Sequence, residues 1–198
     1  MGLRRSAAGS RSQGAPVRGG SRSLPGVTVP FPAPTGPPAP RGEVLLGYLD
    51  YFRWVVVSKV QGLSDAQLRV SVLPSGWTVL ELVKHLMHVE QRWLVWGFDG
   101  QPVARPWGDS QDSQDGRWYV PDTEHGPDLV RALQAQGAVT STVVRAHELS
   151  DVGRPGERWD GAAPPTLERV LFHLLQEYAR HAGHLDVVRE LIDGKVGE

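Results

Sequence analysis

The sequence contains no cysteine. That excludes a disulfide framework, a thiolate-held zinc or iron–sulfur site and a cysteine nucleophile. Any thiol chemistry must therefore draw its thiol from outside the chain. No apolar run approaches the roughly 18 residues a membrane-spanning helix needs, and no secretory apolar stretch stands near the start. A cytoplasmic protein without membrane partners is the expectation. Asparagine is absent, and lysine falls to three against 18 arginines. That bias suits a GC-rich coding sequence of bacterial kind. The net charge of −1 argues against a dedicated nucleic-acid binder. What is present, 198 residues with 40% hydrophobic and 22% charged side chains, suits one folded domain with a tail.

The near-neutral total hides a split. Residues 1–41 hold six arginines (Arg4, Arg5, Arg11, Arg18, Arg22, Arg41) and eight of the 16 prolines, with no Asp or Glu. Residues 42–198 carry 15 basic and 22 acidic side chains, a net −7. The first segment has too little apolar periodicity to repay the entropy of ordering it, so a disordered tail is expected over 1–41. Its composition is also that of a transit peptide or a basic arm. The missing amphipathic pattern favours a plain extension.

From Gly42 the periodicity is helical: Val44, Leu45, Tyr48, Leu49, Phe52, Val55, Val56 and Val60 recur at three- and four-residue steps. Ser64 to Gln67 and Thr78 to Glu81 read as capping boxes. The first opens a short turn and the second a strong helix to about Phe98. Pro127 suits the start of a third long helix running to about Leu149. Thr166 caps a fourth that stops at Asp193-Gly194. No strand alternation appears. Four long helices predict an all-α four-helix bundle in one domain, 42–198. The long polar stretch 99–125 contains Trp107, Trp118 and Tyr119. It reads either as a loop pinned to the bundle by its aromatics or as a lid over a site.

Five of the seven histidines lie in the second and fourth helices. At about 100° per residue, Glu177 and His181 project one turn apart from the apolar side of the fourth helix or its edge. His173 and His184 stand at the boundary, and Arg180 faces solvent. On the second helix His85 sits at the edge of the apolar stripe. His88 falls with Glu81, Lys84 and Arg92 on the side read as solvent-facing. A core-facing carboxylate needs a cation, a hydrogen-bond network or a metal. Glu177 and His181 offer an oxygen and a nitrogen in one direction, and His85 would complete a His₂Glu set with an open position for water or substrate. Satisfied core histidines, or a simple His173–Glu177 pair, account for the same pattern.

The stretches GWTVLELVKHLMHVEQRW (76–93) and QEYARHAGHLDVVRELIDG (176–194) resemble the second- and fourth-helix motifs of the DinB-like superfamily. GLSDAQLRVSVLPSGW (62–77) looks like its mini-circle protein branch, and the resemblance covers roughly residues 42–194. It implies a four-helix bundle with a divalent metal on three side chains, here His85, Glu177 and His181. The related mycothiol-dependent maleylpyruvate isomerases use a His, a Glu and a His on zinc. The resemblance further implies a low-molecular-weight thiol as co-substrate and an S-transferase or isomerase reaction on an electrophilic small molecule.

On this reading zinc is the first choice of metal, with nickel, iron or manganese acceptable to the same ligands. His184, one turn beyond His181, is the candidate catalytic residue, as orienter of a ligand or carrier of a proton; a boundary histidine contacting solvent is the plain alternative. The rival functions are a non-catalytic metal-binding or stress-related bundle and a pure interaction module. A homodimer through an exposed helix face is compatible with either.

Overall fold

The computed structural model describes residues 29–111 and 116–197. It contains α1 (Arg41–Val60), the short α2 (Asp65–Leu68), α3 (Val79–Glu90), α4 (Gly126–Ala146) and α5 (Leu167–Asp193). α3 continues as a π-helical segment, Gln91–Phe98, and a 3-10 turn, Glu157–Trp159, interrupts the α4–α5 connection. No strand forms among the described residues, only isolated bridges between Ser110 and Trp118 and between Val152 and Thr166. The expected all-α bundle is the observed one.

Local chemistry sets the helix ends. Thr78 accepts from the Glu81 backbone N–H, while the Glu81 carboxylate accepts from the Thr78 N–H at 2.7 Å. Ser64 and Gln67 make the same reciprocal box at α2. Thr166 caps α5 through the Arg169 N–H. α5 stops at Gly194, whose φ of 75° is a left-handed conformation that costs a residue without Cβ little. The π-helical stretch has no such sequence signal, and the periodicity of residues 91–98 reads as plain α-helix.

α1 and α3 each pack against both α4 and α5, so α1 and α3 face each other diagonally. Leu46, Leu49 and Val56 of α1, Leu82, Val83 and Leu86 of α3, Leu133 of α4, and Leu171, Leu174 and Leu185 of α5 are buried in one core. Each such side chain contributes about 1.5–3 kcal/mol on leaving water.

One polar cluster sits within this core. Glu90 is fully buried at the end of α3. Arg53 of α1 donates to it through Nε at 2.8 Å, and the hydroxyls of Thr140 on α4 and Tyr178 on α5 also donate. Four helices thus meet on one carboxylate. At the far end, Arg189 of α5 donates to the carbonyl oxygens of Lys59 and Gln61, the otherwise unpaired end of α1.

The expected tail lies largely outside the described residues. Of its last part, Phe31 stands edge-on to Tyr51 at 5.1 Å and to Tyr48 at 6.3 Å while staying half exposed. α1 begins at Arg41, beside the expected boundary.

Arg53→Met leaves the Glu90 charge buried and uncompensated. It is expected to cost about 3–5 kcal/mol in urea unfolding. Adding Glu90→Gln should recover most of that loss, because a neutral amide accepts from one hydroxyl through its oxygen and donates to the other, once turned, through its nitrogen. Equal losses in the single and double variants would show that the charge pairing is not what matters there.

Candidate metal centre

His85 comes from α3, and Glu177 and His181 stand one turn apart on α5. The structure brings all three together: one ligand atom from each lies within 4.8 Å of the others. His181 Nε2 is 3.3 Å and His85 Nε2 is 3.8 Å from Glu177 Oε2. Atoms bonded to a tetrahedral zinc at 2.0–2.1 Å stand about 3.3 Å apart. The three side chains therefore need only small rotations to share an ion of that size. Imidazole nitrogens with one carboxylate oxygen are a donor set suited to divalent first-row metals. The other Glu177 oxygen faces His173 Nε2 at 3.6 Å, so the simple His173–Glu177 pair coexists with the cluster. Hydrogen bonds to His181 and His85 hold the Glu177 carboxyl far below its ordinary range, against the opposing effect of burial.

The supporting contacts assign one face to each ring. His85 Nδ1 lies 2.9 Å from Asp109 Oδ2. A proton on Nδ1 satisfies that carboxylate, so that a cation replacing the Nε2 proton that faces Glu177 would be bound through the Nε2 lone pair. Asp109 is itself clamped by Arg92, Nη1 to Oδ1 at 2.6 Å and Nη2 to Oδ2 at 3.0 Å. Burial alone pushes the Asp109 carboxyl up, but its hydrogen bonds from His85 and Arg92 bring it down to about 2. On α5, His184 Nδ1 lies 3.4 Å from His181 Nδ1. If His181 offers Nε2 as a lone pair, its proton sits on Nδ1 and points at His184.

The 99–125 loop covers the pair of imidazoles. Trp118 stacks on His85 with ring centres 4.1 Å apart and planes 24° apart, and it meets His181 edge-on at 5.4 Å. A cavity of about 520 Å³ opens beside His85 between Trp107, Trp118, Asp109 and Arg92. Trp107 is half exposed and lies under the Arg92 guanidinium at 4.6 Å. The loop is thus pinned by its aromatics, and it also walls the candidate site.

The wheel misplaces the other face of α3. His88, Lys84 and Arg92 were expected toward solvent, yet all three are buried. The loop packs over them: Lys84 pairs with Glu124 at 2.9 Å, Arg92 with Asp109, and His88 lies so close to Gly108 that a Cβ there would come within 2.7 Å of its ring. Asp109 was not among the expected site residues. It is one acid among several in a polar loop, and only its place between Trp107 and Trp118 sets it apart.

An all-α bundle carrying a His/Glu/His cluster between its second and fourth long helices defines a DinB-like protein. A family model described as mycothiol-S-transferase matches residues 44–194, and the chain belongs to that family. The crystal structure of a conserved protein from Enterococcus faecalis aligns with a TM-score of 0.59 and 17% identity, covering 80% of this chain and 100% of that one. At that identity the likeness shows the fold alone. No curated protein matches the sequence.

Burial pushes the His88 imidazole down to about 4, despite the nearby Asp109 carboxylate. Below its ordinary pKa near 6.5, the unfolded chain takes up a proton that the folded chain refuses. The His88 contribution to stability is therefore complete above about pH 6.5 and falls progressively toward pH 4. His88→Leu should flatten this part of the stability–pH curve in chemical denaturation. An unchanged slope would show that His88 meets solvent. His88→Ala, a surface change on the wheel, should instead leave a cavity and lower the melting temperature.

Proposed function

We propose that this protein is a metal-dependent thiol S-transferase. In this reading His85, Glu177 and His181 hold a divalent cation, zinc by preference. The observation that carries it is the convergence of those three side chains from two helices, in a chain of the mycothiol-S-transferase family. Three protein ligands leave room in the coordination sphere for a small molecule. A bound cation lowers the pKa of a coordinated thiol and so supplies thiolate at neutral pH. The absence of cysteine from the chain means that the sulfur comes from a free thiol, for which the family name points to mycothiol. A reducing cytoplasm suits such a co-substrate. The thiolate sulfur forms a bond to an electrophilic carbon, whose leaving group departs with the displaced electron pair.

The chain's own part is orientation and exclusion of water. Asp109 holds the His85 proton on Nδ1, and Arg92 holds Asp109. With His181 binding the cation through Nε2, His184 would accept from His181 Nδ1 and fix that ring's tautomer, the part of a positioning residue. Trp118 shields the His85 face from solvent.

Zinc titration of metal-stripped protein by calorimetry tests the ligand set. His181→Ala should lose high-affinity binding. Asp109→Asn should bind about 10–100-fold more weakly, as is usual when a partner behind a metal-binding histidine is removed. Equal affinity in wild type and His181→Ala would rule out the site. Consumption of a chloronitroaromatic electrophile by the zinc-loaded protein with mycothiol then tests the reaction. Tight metal binding with no thiol-dependent turnover would favour the non-catalytic metal-binding bundle.

A further inference from the structure

The buried arginines of this protein have partners. Arg53 meets Glu90, Arg92 meets Asp109, and Arg189 meets Asp193. Arg158 differs. It is half-buried in the 3-10 turn Glu157–Trp159, its Nε is buried without a hydrogen-bond partner, and no carboxylate among the described residues lies within ion-pair distance of it. Burial, with Arg92 adding like charge, lowers its pKa, and no acid offsets them. A guanidinium that has lost part of its water and gained no anion is held at a cost.

Its position is built. Trp159 Nε1 donates to the Gly97 and Arg154 carbonyl oxygens at 3.1 and 3.2 Å, which pins the turn to the π-helical segment. Gly97 permits that approach, since a Cβ there would come within 2.9 Å of the Trp159 ring. The Arg158 guanidinium then lies 4.7 Å from the ring centre of Trp93, 5.1 Å from Trp159 and 6.0 Å from Trp96. Trp93 leads to the proposed centre: its ring centre is 4.1 Å from that of His173, and His173 faces Glu177. An unpaired, planar, five-donor cation flanked by flat aromatic rings thus stands two side chains, Trp93 and His173, away from the cluster.

We infer that Arg158 is the anion-recognition residue for the electrophile, selecting a carboxylate carried on a flat conjugated skeleton that lies along Trp93. The inference rests on the S-transferase reading for the meaning of the site, but not for its test. A carboxylate matches the guanidinium fork with two parallel hydrogen bonds. The conjugated part gains from contact with the indole face. Neutral electrophiles lack the first of these contacts.

The test is equilibrium binding to the full chain without thiol and without added metal, followed by tryptophan fluorescence, with cinnamate and its neutral isostere cinnamamide as probes. The wild type should bind cinnamate about 10–100-fold more tightly than the amide, the range a charge-assisted pair supplies. Arg158→Gln should bring cinnamate down to the amide's affinity and leave the amide unchanged. Arg158→Lys should keep part of the preference. Zinc titration of Arg158→Gln should match wild type, so loss of the carboxylate preference is separable from failure of the metal site. Equal affinity of the wild type for both probes, or no binding of cinnamate at millimolar concentration, overturns the inference. So does an equal loss for both probes in Arg158→Gln, which would make Arg158 a structural prop for its loop.

Discussion

Glu90 is where the fold and the candidate centre become one problem. A carboxylate with no exposure has to be met by donors from every side, and the donors come from α1, α4 and α5. Tyr178 is the donor from α5, and its chain neighbour is Glu177. One hydrogen bond therefore fixes how α5 is rotated and how far it slides along α3. With Tyr178 held inward on Glu90, Glu177 turns about 100° away, into the α3–α5 seam where His85 waits one and a half turns before Glu90. Apolar packing alone tolerates small rotations of a helix. A buried charge with directional partners does not, and the convergence of the three side chains depends on that intolerance.

The same principle repeats nearer the surface. Asp109 is 2% exposed and accepts from both His85 and Arg92. Lys84 is buried against Glu124. The 99–125 loop is thus fastened to α3 by ion pairs along one face and by Trp118 over His85. The α4–α5 loop is fastened by Trp159 on Gly97. The first of these connections walls the site, the second closes on the π-helical segment, and that segment carries Trp93 and Trp96.

The four long helices and their caps were legible from sequence because periodicity and capping chemistry act over three or four residues. Thr78, Ser64, Thr166 and Gly194 all act as read. The grouping of His85 with Glu177 and His181 was legible for a related reason: a side chain at the edge of an apolar stripe points toward the neighbouring helix. What was illegible involves partners distant in the chain. Arg53 and Glu90 are 37 residues apart, and Arg92 and Asp109 are 17 apart. A wheel assigns a charged residue to solvent because it cannot know that a loop will bring the opposite charge, and this is why His88, Lys84 and Arg92 were misplaced. Arg158 belongs to the same class, in a Gly- and Pro-rich connection with no periodicity to mark it.

The Arg92–Asp109–His85 chain also ties two equilibria together. Asp109 belongs to a loop, whereas His85 belongs to the helical frame. The carboxylate can orient the imidazole only while the loop lies closed upon it. Whatever favours the closed loop must then improve the imidazole as a donor, and whatever engages the imidazole must steady the loop by the same free energy, since such coupling is reciprocal. A molecule filling the space between Trp107 and Trp118 would be in contact with both partners of that exchange at once.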